Sequence, residues 1–181
     1  MKYTQLSLPG VWLVEPKRFG DARGYFMESF KLEEFQANVG PVNFIQDNES
    51  FSSRGVLRGL HFQKGAMSQA KLVRVSRGTV LDVAVDLRSG SPTFGQHVAV
   101  ELSADNALQL FLPRGMAHGF VVLSDAAQFQ YKVDNAYAPQ SEVTLRFDDP
   151  ALGIDWRIPA SEMLLSEKDL RGMPLSEIDP F

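Results

Sequence analysis

Three side chains between residues 61 and 131 have the types that acid–base chemistry at carbon requires: His61, Lys71 and Tyr131. A neutral imidazole can remove a proton from a carbon beside a carbonyl group, and an ammonium can stabilise the enolate oxygen that forms. A phenol can return a proton from the other side. The set therefore predicts proton abstraction next to a carbonyl. The alternative is structural, with His61 a hydrogen-bonded core histidine and Tyr131 a core tyrosine whose hydroxyl reaches the rim.

Alternating sequence patterns predict strands that could bring these groups together. Lys71 shares one face of its strand with Val73 and Val75, and Tyr131 shares a face with Phe129. If the apolar positions face inward, a cation and a phenol point into the interior of a barrel. Polar groups in such a place are costly unless they are paired or used. The pattern thus favours a functional cavity.

Alternation places several other charged residues on faces that would not point into the same pocket. Arg58 and His61 lie on opposite faces of one regular strand, so both enter one pocket only if a bulge or bend separates them. Asp82 and Asp86 alternate with the apolar Val83 and its neighbours. We expect both carboxylates to point outward and to be structural.

The chain as a whole predicts a mainly β fold. Short alternating runs recur about every ten residues and are separated by Gly and Pro, as in an antiparallel sandwich or barrel. Helical patterns are restricted to residues 32–39 and to a capping box that starts at Ser166. Linker-like composition and internal repeats are absent. We expect residues 1–181 to form a single domain, a β-barrel with short helices near both ends.

Composition excludes several classes of protein. The 181 residues include 18 Lys and Arg against 22 Asp and Glu, a net charge of -4, which argues against a nucleic-acid partner. The absence of cysteine excludes disulfides, zinc–thiolate sites, Fe–S clusters and a Cys nucleophile. No apolar run approaches the length of a membrane span, and residues 1–10 contain no secretion signal. The sequence predicts a cytoplasmic protein without membrane contact.

The order of residues 55–78 and 113–118 resembles the two signature motifs of the cupin superfamily. Cupins are small jelly-roll barrels, so the resemblance implies a cupin-like jelly-roll β-barrel. Metal-binding cupins have His-x-His and a Glu in the first motif and a third His in the second. Here Gln63 occupies the position of the second His, and Lys71 occupies that of the Glu. A protonated lysine cannot ligate a metal and repels a cation. We therefore expect no metal.

Six segments together resemble the dTDP-4-dehydrorhamnose 3,5-epimerase family. The resemblance runs in one order from about residue 10 to residue 169. The matching segments are residues 53–63 (SRGVLRGLHFQ), 69–75 (QAKLVRV), 82–88 (DVAVDLR), 90–95 (GSPTFG), 115–120 (GMAHGF) and 165–169 (LSEKD). The resemblance implies inversion of C3 and C5 of dTDP-4-dehydro-6-deoxy-D-glucose. It also implies no cofactor, because the C4 ketone already acidifies both neighbouring C–H groups.

The resemblance also assigns roles to individual residues. It implies that His61 is the general base, oriented by Asp169, that Tyr131 is the general acid, and that Lys71 lies near the C4 oxygen. Tyr137 matches the aromatic that stacks on thymine. Further substrate contacts are implied for Phe19, Arg23, Glu28, Gln46, Asn48, Arg58, His118, Tyr137, Glu142 and Lys168. Among these, Phe19, Arg23 and Glu28 match a segment that reaches into the partner subunit's site, which implies a homodimer.

Alternatives remain at this point. Asp169 could serve only to cap a helix that begins after Ser166, and Arg23 could be a solvated surface charge. A monofunctional 3- or 5-epimerase would share almost every motif, and residues 133–136, between Tyr131 and Tyr137, depart from the family pattern. A non-catalytic cupin that binds a nucleotide-sugar has no need of both a base and an acid. The sequence therefore favours the double epimerase.

Overall fold

The computed structural model describes all residues, 1–181, and its secondary structure is mostly β. It contains thirteen strands and two short α-helices, with four single 3₁₀ turns. The strands are β1 (Lys2–Gln5), β2 (Trp12–Glu15), β3 (Arg18–Asp21), β4 (Gly24–Met27), β5 (Gln46–Ser53), β6 (Leu57–Gln63), β7 (Lys71–Arg77), β8 (Thr79–Asp86), β9 (His97–Ser103), β10 (Gln109–Leu112), β11 (Met116–Val122), β12 (Ala126–Val133) and β13 (Glu142–Thr144). The helices are α1 (Leu32–Asn38) and α2 (Glu167–Leu170).

Two antiparallel sheets form the body of the fold. One sheet has six strands in the order β1-β2-β10-β7-β12-β5, and the other has five in the order β13-β6-β11-β8-β9. Strands β3 and β4 form a separate hairpin. The predicted cupin-like jelly roll is therefore confirmed. Each large sheet joins strands that are distant in sequence, as Greek-key connections require.

The main core lies between the two large sheets. Val73 and Phe129 contribute from the six-stranded sheet, and Val80 and Phe120 contribute from the five-stranded sheet. The rings of Phe120 and Phe129 stack with centroids 4.1 Å apart. This core fills the space between the sheets with apolar side chains. The inward orientation predicted for the faces that contain Lys71 and Tyr131 is confirmed, because Val73 and Phe129 are fully buried.

The prediction for Asp82 and Asp86 was wrong. Both side chains are completely buried, with 0% exposure. Strand β8 is covered on both faces, because Val83 and Val85 pack in a second core beneath the C-terminal segment that includes Trp156. The face with Asp82 therefore points into the barrel. Asp86 is structural as expected, but its carboxylate is buried among hydrogen bonds from residues 88–93.

A bulge between β6 and β11 brings Arg58 and His61 to the same side of the sheet. His118 lies opposite His61 and Phe120 lies opposite Arg58, so two residues of β6 face one residue of β11. Gly59 allows the strands to come this close, because a Cβ there would lie 2.5 Å from the Cα of the facing glycine. The bend required by the parity of Arg58 and His61 is confirmed.

Both predicted helices are present. Helix α1 packs Phe35 against the outer face of the six-stranded sheet, with its ring 5.2 Å from that of Phe111. Helix α2 begins with the expected capping box, in which Ser166 and Asp169 bond to each other's backbone N–H groups. No helix is long and apolar enough to span a membrane.

Candidate active site

A cavity of about 550 Å³ opens between the two large sheets. Its walls come from strands β5, β6, β7, β11 and β12, and residues 164–169 close one side. The cavity brings together seven of the residues selected from the sequence: Arg58, His61, Lys71, His118, Tyr131, Lys168 and Asp169. Residues from distant parts of the chain therefore share one polar chamber beside an apolar core.

Asp169 acts through both of its oxygens. Oδ1 lies 2.7 Å from Nε2 of His61, and it also accepts a bond of 3.3 Å from the backbone N–H of Gly59. Oδ2 accepts from Oγ and from the backbone N–H of Ser166, at 2.6 and 3.2 Å. Capping and contact with His61 were alternatives in the sequence, and the structure shows both. Helix α2 thus fixes the carboxylate that holds the imidazole.

The charge of Asp169 is well stabilised. Burial raises the pKa of this carboxyl, but hydrogen bonds from His61 and Ser166 outweigh that effect and lower it to about 2. An ionised carboxylate at Nε2 of His61 orients the ring and stabilises the imidazolium. Nδ1 of His61 makes no hydrogen bond with the protein, and a quarter of the side chain is exposed to the cavity. The ring is therefore free to take a proton there.

Tyr131 and Lys71 lie on the opposite wall, on β12 and β7. Burial raises the pKa of Tyr131, although the charge of Arg58 opposes the shift, so the phenol keeps its proton at neutral pH. Burial lowers the pKa of Lys71 to about 8, against the opposing charges of Asp82 and Glu142. The base candidate belongs to the five-stranded sheet and the acid candidate to the six-stranded sheet. A flat ring between the sheets would present one face to each.

His118 forms a second histidine–carboxylate pair beside the first. Its Nε2 lies 2.9 Å from Oδ2 of Asp82, and both side chains are buried. Burial lowers the pKa of His118 and raises that of Asp82, and their mutual attraction opposes both shifts. His118 is aligned with His61 across the β6–β11 ladder. Sequence reasoning missed Asp82, because alternation alone cannot show which face of β8 lines the barrel.

Glu142 links two of the proposed substrate contacts at the edge of the site. Its Oε1 lies 2.5 Å from Nζ of Lys168, and its Oε2 accepts a 2.9 Å bond from the hydroxyl of Tyr137. Burial opposes its ionisation, but these two bonds hold the pKa of Glu142 below its usual value. The Tyr137 ring remains largely exposed. This arrangement presents a flat aromatic face next to a cation.

Gln46 and Asn48 lie beside the cavity rather than in it. Asn48 is the cross-strand partner of Tyr131, so its side chain lies on the same face of the sheet. Gln46 Nε2 donates to Asn48 Oδ1 at 2.7 Å. Arg58 is oriented by a 3.1 Å bond from its Nε to Oγ of Ser52. These contacts place an amide pair on edge strand β5, next to the candidate acid.

The N-terminal residues of the predicted site do not reach the cavity of their own chain. Phe19 is on hairpin strand β3, Arg23 is in the turn between β3 and β4, and Glu28 follows β4. None of the three lines the cavity. Arg23 is bonded only to Asp21 and its side chain is 90% exposed. Within a single chain these residues and the cavity are separate.

The position of the second cupin histidine has a structural use here. Gln63 Nε2 donates to the backbone carbonyls of Met67 and Ala136, and Gln63 Oε1 accepts from the N–H of Ala138. The amide therefore ties two loops together and does not point into the cavity. No cluster of three or more His, Asp or Glu side chains is placed to hold a metal ion.

A jelly-roll barrel with a histidine–carboxylate base, a phenol and a cation around one cavity defines a cupin-like acid–base enzyme. Comparison with known proteins specifies the family. Residues 5–177 match the family model described as dTDP-4-dehydrorhamnose 3,5-epimerase. The chain belongs to this family.

Similar proteins span the whole chain. A dTDP-4-dehydrorhamnose 3,5-epimerase from Pseudomonas aeruginosa is 52% identical over 100% of this chain and 99% of its own. A crystal structure of a dTDP-6-deoxy-D-glucose-3,5-epimerase from Legionella pneumophila, in complex with dTDP-4-keto-L-rhamnose, is 46% identical with a TM-score of 0.94 over 98% and 94% of the two chains. A 3′-monoepimerase from Streptomyces bikiniensis, in complex with dTDP-quinovose, is 38% identical with a TM-score of 0.86 over 94% and 86%.

Proposed function

We propose that this enzyme inverts C3 and C5 of dTDP-4-dehydro-6-deoxy-D-glucose and so forms dTDP-4-dehydro-L-rhamnose. The observation that supports it most directly is the placement of His61 and Tyr131 on facing sheets, because inversion needs a base and an acid on opposite faces of the sugar. The Legionella relative was crystallised with the 4-keto-L-rhamnose nucleotide. Membership of an epimerase family argues against a binding-only cupin.

Each inversion is a proton transfer through an enolate. Nδ1 of His61 takes the proton from the carbon next to C4, and the electron pair of the broken C–H bond moves toward the C4 oxygen. The ammonium of Lys71 stabilises the negative charge on that oxygen. Tyr131 then donates its proton to the carbon from the opposite face, and the C4 carbonyl re-forms. Solvent returns the proton to Tyr131 and removes the one on His61.

The remaining polar residues bind the nucleotide-sugar in this scheme. Arg58 and His118 hold the sugar and the diphosphate from the cavity wall. Lys168 and Glu142 provide further contacts at the edge, where the exposed ring of Tyr137 stacks on thymine. The amides of Gln46 and Asn48 line the nucleotide and sugar pocket beside Tyr131. Neither a metal nor an organic cofactor takes part, because the C4 ketone already activates both carbons.

The active enzyme is a homodimer in this proposal. Phe19, Arg23 and Glu28 complete the site of the partner subunit. The β3–β4 hairpin supports this arrangement, because it belongs to neither large sheet and exposes aromatic side chains, including Phe26 at 67% exposure. Exposed apolar groups of this kind are typical of a protein interface. The enzyme is expected to act in the cytoplasm.

Single inversion is the second candidate, because the Streptomyces bikiniensis relative with the same fold is a 3′-monoepimerase. Proton NMR in D2O separates the two. The double epimerase gives a product with the L-rhamno configuration and deuterium at both C3 and C5. Deuterium at one carbon only would identify a monofunctional enzyme. Tight binding of the substrate without any exchange would contradict epimerase activity altogether.

A further inference from the structure

Asp82 is a buried carboxylate directly behind the cavity. Its side chain is completely inaccessible, and it is not among the residues that line the chamber. Oδ2 accepts the 2.9 Å bond from His118. Oδ1 has no hydrogen-bond partner, and the only other buried side-chain atom in this state is Nε of Arg18. A buried carboxylate oxygen without a partner is costly, so an interaction must compensate it.

Lys71 is a cation that lacks a bonded partner, as Asp82 Oδ1 does. Its side chain lines the cavity and makes no hydrogen bond or ion pair with the protein. The faces of β7 and β8 that carry Lys71 and Asp82 both point into the barrel, because the apolar neighbours on each face belong to the same core. The charges that influence Lys71 are Asp82 on β8, Glu142 on β13 and Lys168 on α2. Glu142 is already neutralised by Lys168 at 2.5 Å. Asp82 is therefore the anion that remains available to Lys71.

The two histidine–carboxylate pairs differ in how their charge is used. Asp169 has hydrogen bonds on both oxygens, so its charge is shared between His61 and the cap of helix α2. Asp82 has one bond and one open oxygen. The aligned positions of His61 and His118 place both pairs on one wall. Both oxygens of Asp169 are therefore satisfied, whereas Asp82 retains one oxygen without a hydrogen-bond partner.

We propose that Asp82 is a positioning residue for the reaction, which fixes His118 through Nε2 and keeps Lys71 in the ammonium form that the enolate oxygen requires. The inference rests on the proposed function. His118 then presents Nδ1 to the substrate, because Nε2 is occupied. Asp82 touches no substrate and acts only through these two side chains. The other titratable or charged groups that line this chamber are Arg58, His61, Tyr131, Lys168 and Asp169, with Glu142 at its edge.

The substitution Asp82→Asn tests the proposal, because it keeps the shape and removes the charge. Without the anion, the pKa of Lys71 falls below its value of about 8. A fall of about one unit would lower kcat/KM about fivefold at pH 8 and change it little near pH ~6.5. The alkaline limb of the pH profile thus moves to lower pH. Tyr131 cannot produce this limb, because burial raises its pKa.

Asp86→Asn is the matched control. Asp86 is equally buried on the same strand, but its carboxylate bonds only to Arg88, Ser91 and Thr93. This variant should lose stability and keep the wild-type pH profile. If Asp82→Asn instead lowers kcat/KM by the same factor at every pH, so that its pH profile keeps the wild-type shape, Asp82 is only structural and the proposal is wrong.

A second measurement needs no variant. The ¹³Cγ resonance of Asp82 in labelled wild-type enzyme should have the shift of a carboxylate throughout the pH range of activity. The shift of a protonated acid would overturn the proposal, even if Asp82→Asn does not fold. Failure of this inference is distinct from failure of the proposed function: the first leaves deuterium incorporation by the wild type intact, and the second abolishes it.

Discussion

Asp169 shows how one side chain joins folding to chemistry. Its Oδ1 contacts the imidazole of His61, and its Oδ2 accepts the hydrogen bond from Ser166 at the helix cap. The ionised state is stable because both oxygens accept hydrogen bonds, which hold its pKa at about 2 despite burial. Across the chamber, burial raises the pKa of Tyr131 despite the opposing charge of Arg58, so this side chain keeps its proton. The environments of the two side chains thus keep Asp169 ionised and Tyr131 protonated.

Residue chemistry also predicts independence from metals. Gln63 is committed to backbone partners in two loops, and Lys71 occupies the position where metal-binding cupins have Glu. We expect activity to survive exhaustive chelation and elemental analysis to find no stoichiometric metal. Stoichiometric zinc, iron or manganese, together with loss of activity on chelation, would contradict this account.

Tyr137 should bind the nucleotide through its ring. Tyr137→Ala is expected to weaken dTDP binding by ~1–3 kcal/mol, the usual range for stacking of a base on an aromatic side chain. Tyr137→Phe keeps the ring and loses only the exposed bond to Glu142, so it should bind nearly normally. Calorimetry with dTDP measures both. Equal affinities for wild type and Tyr137→Ala would remove the stacking role.

Short secondary-structure elements position the side chains of the site. Helix α2 has only four residues, yet its capping box fixes the carboxylate that orients His61. The bulge in β6 turns Arg58 and His61 to the same side. Strands β7 and β12 supply Lys71 and Tyr131 from the facing sheet. Short elements with well-defined ends therefore determine the geometry of the chamber.

The capping box allows the structural and chemical roles of Asp169 to be separated. Ser166→Ala removes the cap and should destabilise the fold by about 1 kcal/mol, with activity reduced only several-fold, because Oδ1 still contacts His61. Asp169→Asn removes the charge and should lower kcat by at least ~10²-fold. Thermal unfolding and steady-state rates measure the two effects. Equal losses of kcat would mean that the cap, rather than the charge, controls His61.

Sequence patterns predicted which segments form strands and helices, but not everything that packs against those segments. Alternation identified the strands with Lys71 and Tyr131, and parity required the bulge near Arg58. The error at Asp82 has a physical cause: a period of two separates the faces of β8, but it cannot show that the C-terminal segment covers one of them. The role of Gln63 was missed for a similar reason, since the sequence does not show that the distant loop with Ala136 and Ala138 lies beside it.

At the level of the whole molecule, the two large sheets line the cavity of their own chain, whereas the β3–β4 hairpin contributes no residue to it. Facing sheets form a chamber within one chain, whereas the β3–β4 hairpin leaves Arg23 in solvent. A homodimer would cover the exposed aromatics of the hairpin and bring the cation to a second chain's cavity. That residues 1–181 form a single domain remains a prediction, and cooperative unfolding in one transition would support it.

Subunit complementation tests the shared site. Arg23→Ala and His61→Ala chains should each be weakly active alone. After reassortment of an equal mixture, about half of the dimers are mixed, so the mixture should recover about a quarter of wild-type activity. One site in each mixed dimer then has an intact His61 and receives Arg23 from the partner subunit. A mixture of His61→Ala and Tyr131→Phe chains is the control and should not recover, because both groups come from the same chain. No recovery in verified Arg23→Ala mixed dimers would contradict the shared site.

The most direct test of the account follows deuterium at C3 and C5 during reaction in D2O. Wild-type enzyme should incorporate deuterium at both carbons with inversion. His61→Ala should lose exchange at both, by ~10²–10⁴-fold, because no base remains. Tyr131→Phe should keep exchange with retention while inversion falls, because only delivery from the opposite face is lost. A folded His61→Ala enzyme that exchanges both protons at the wild-type rate would contradict the assignment of His61 as the base.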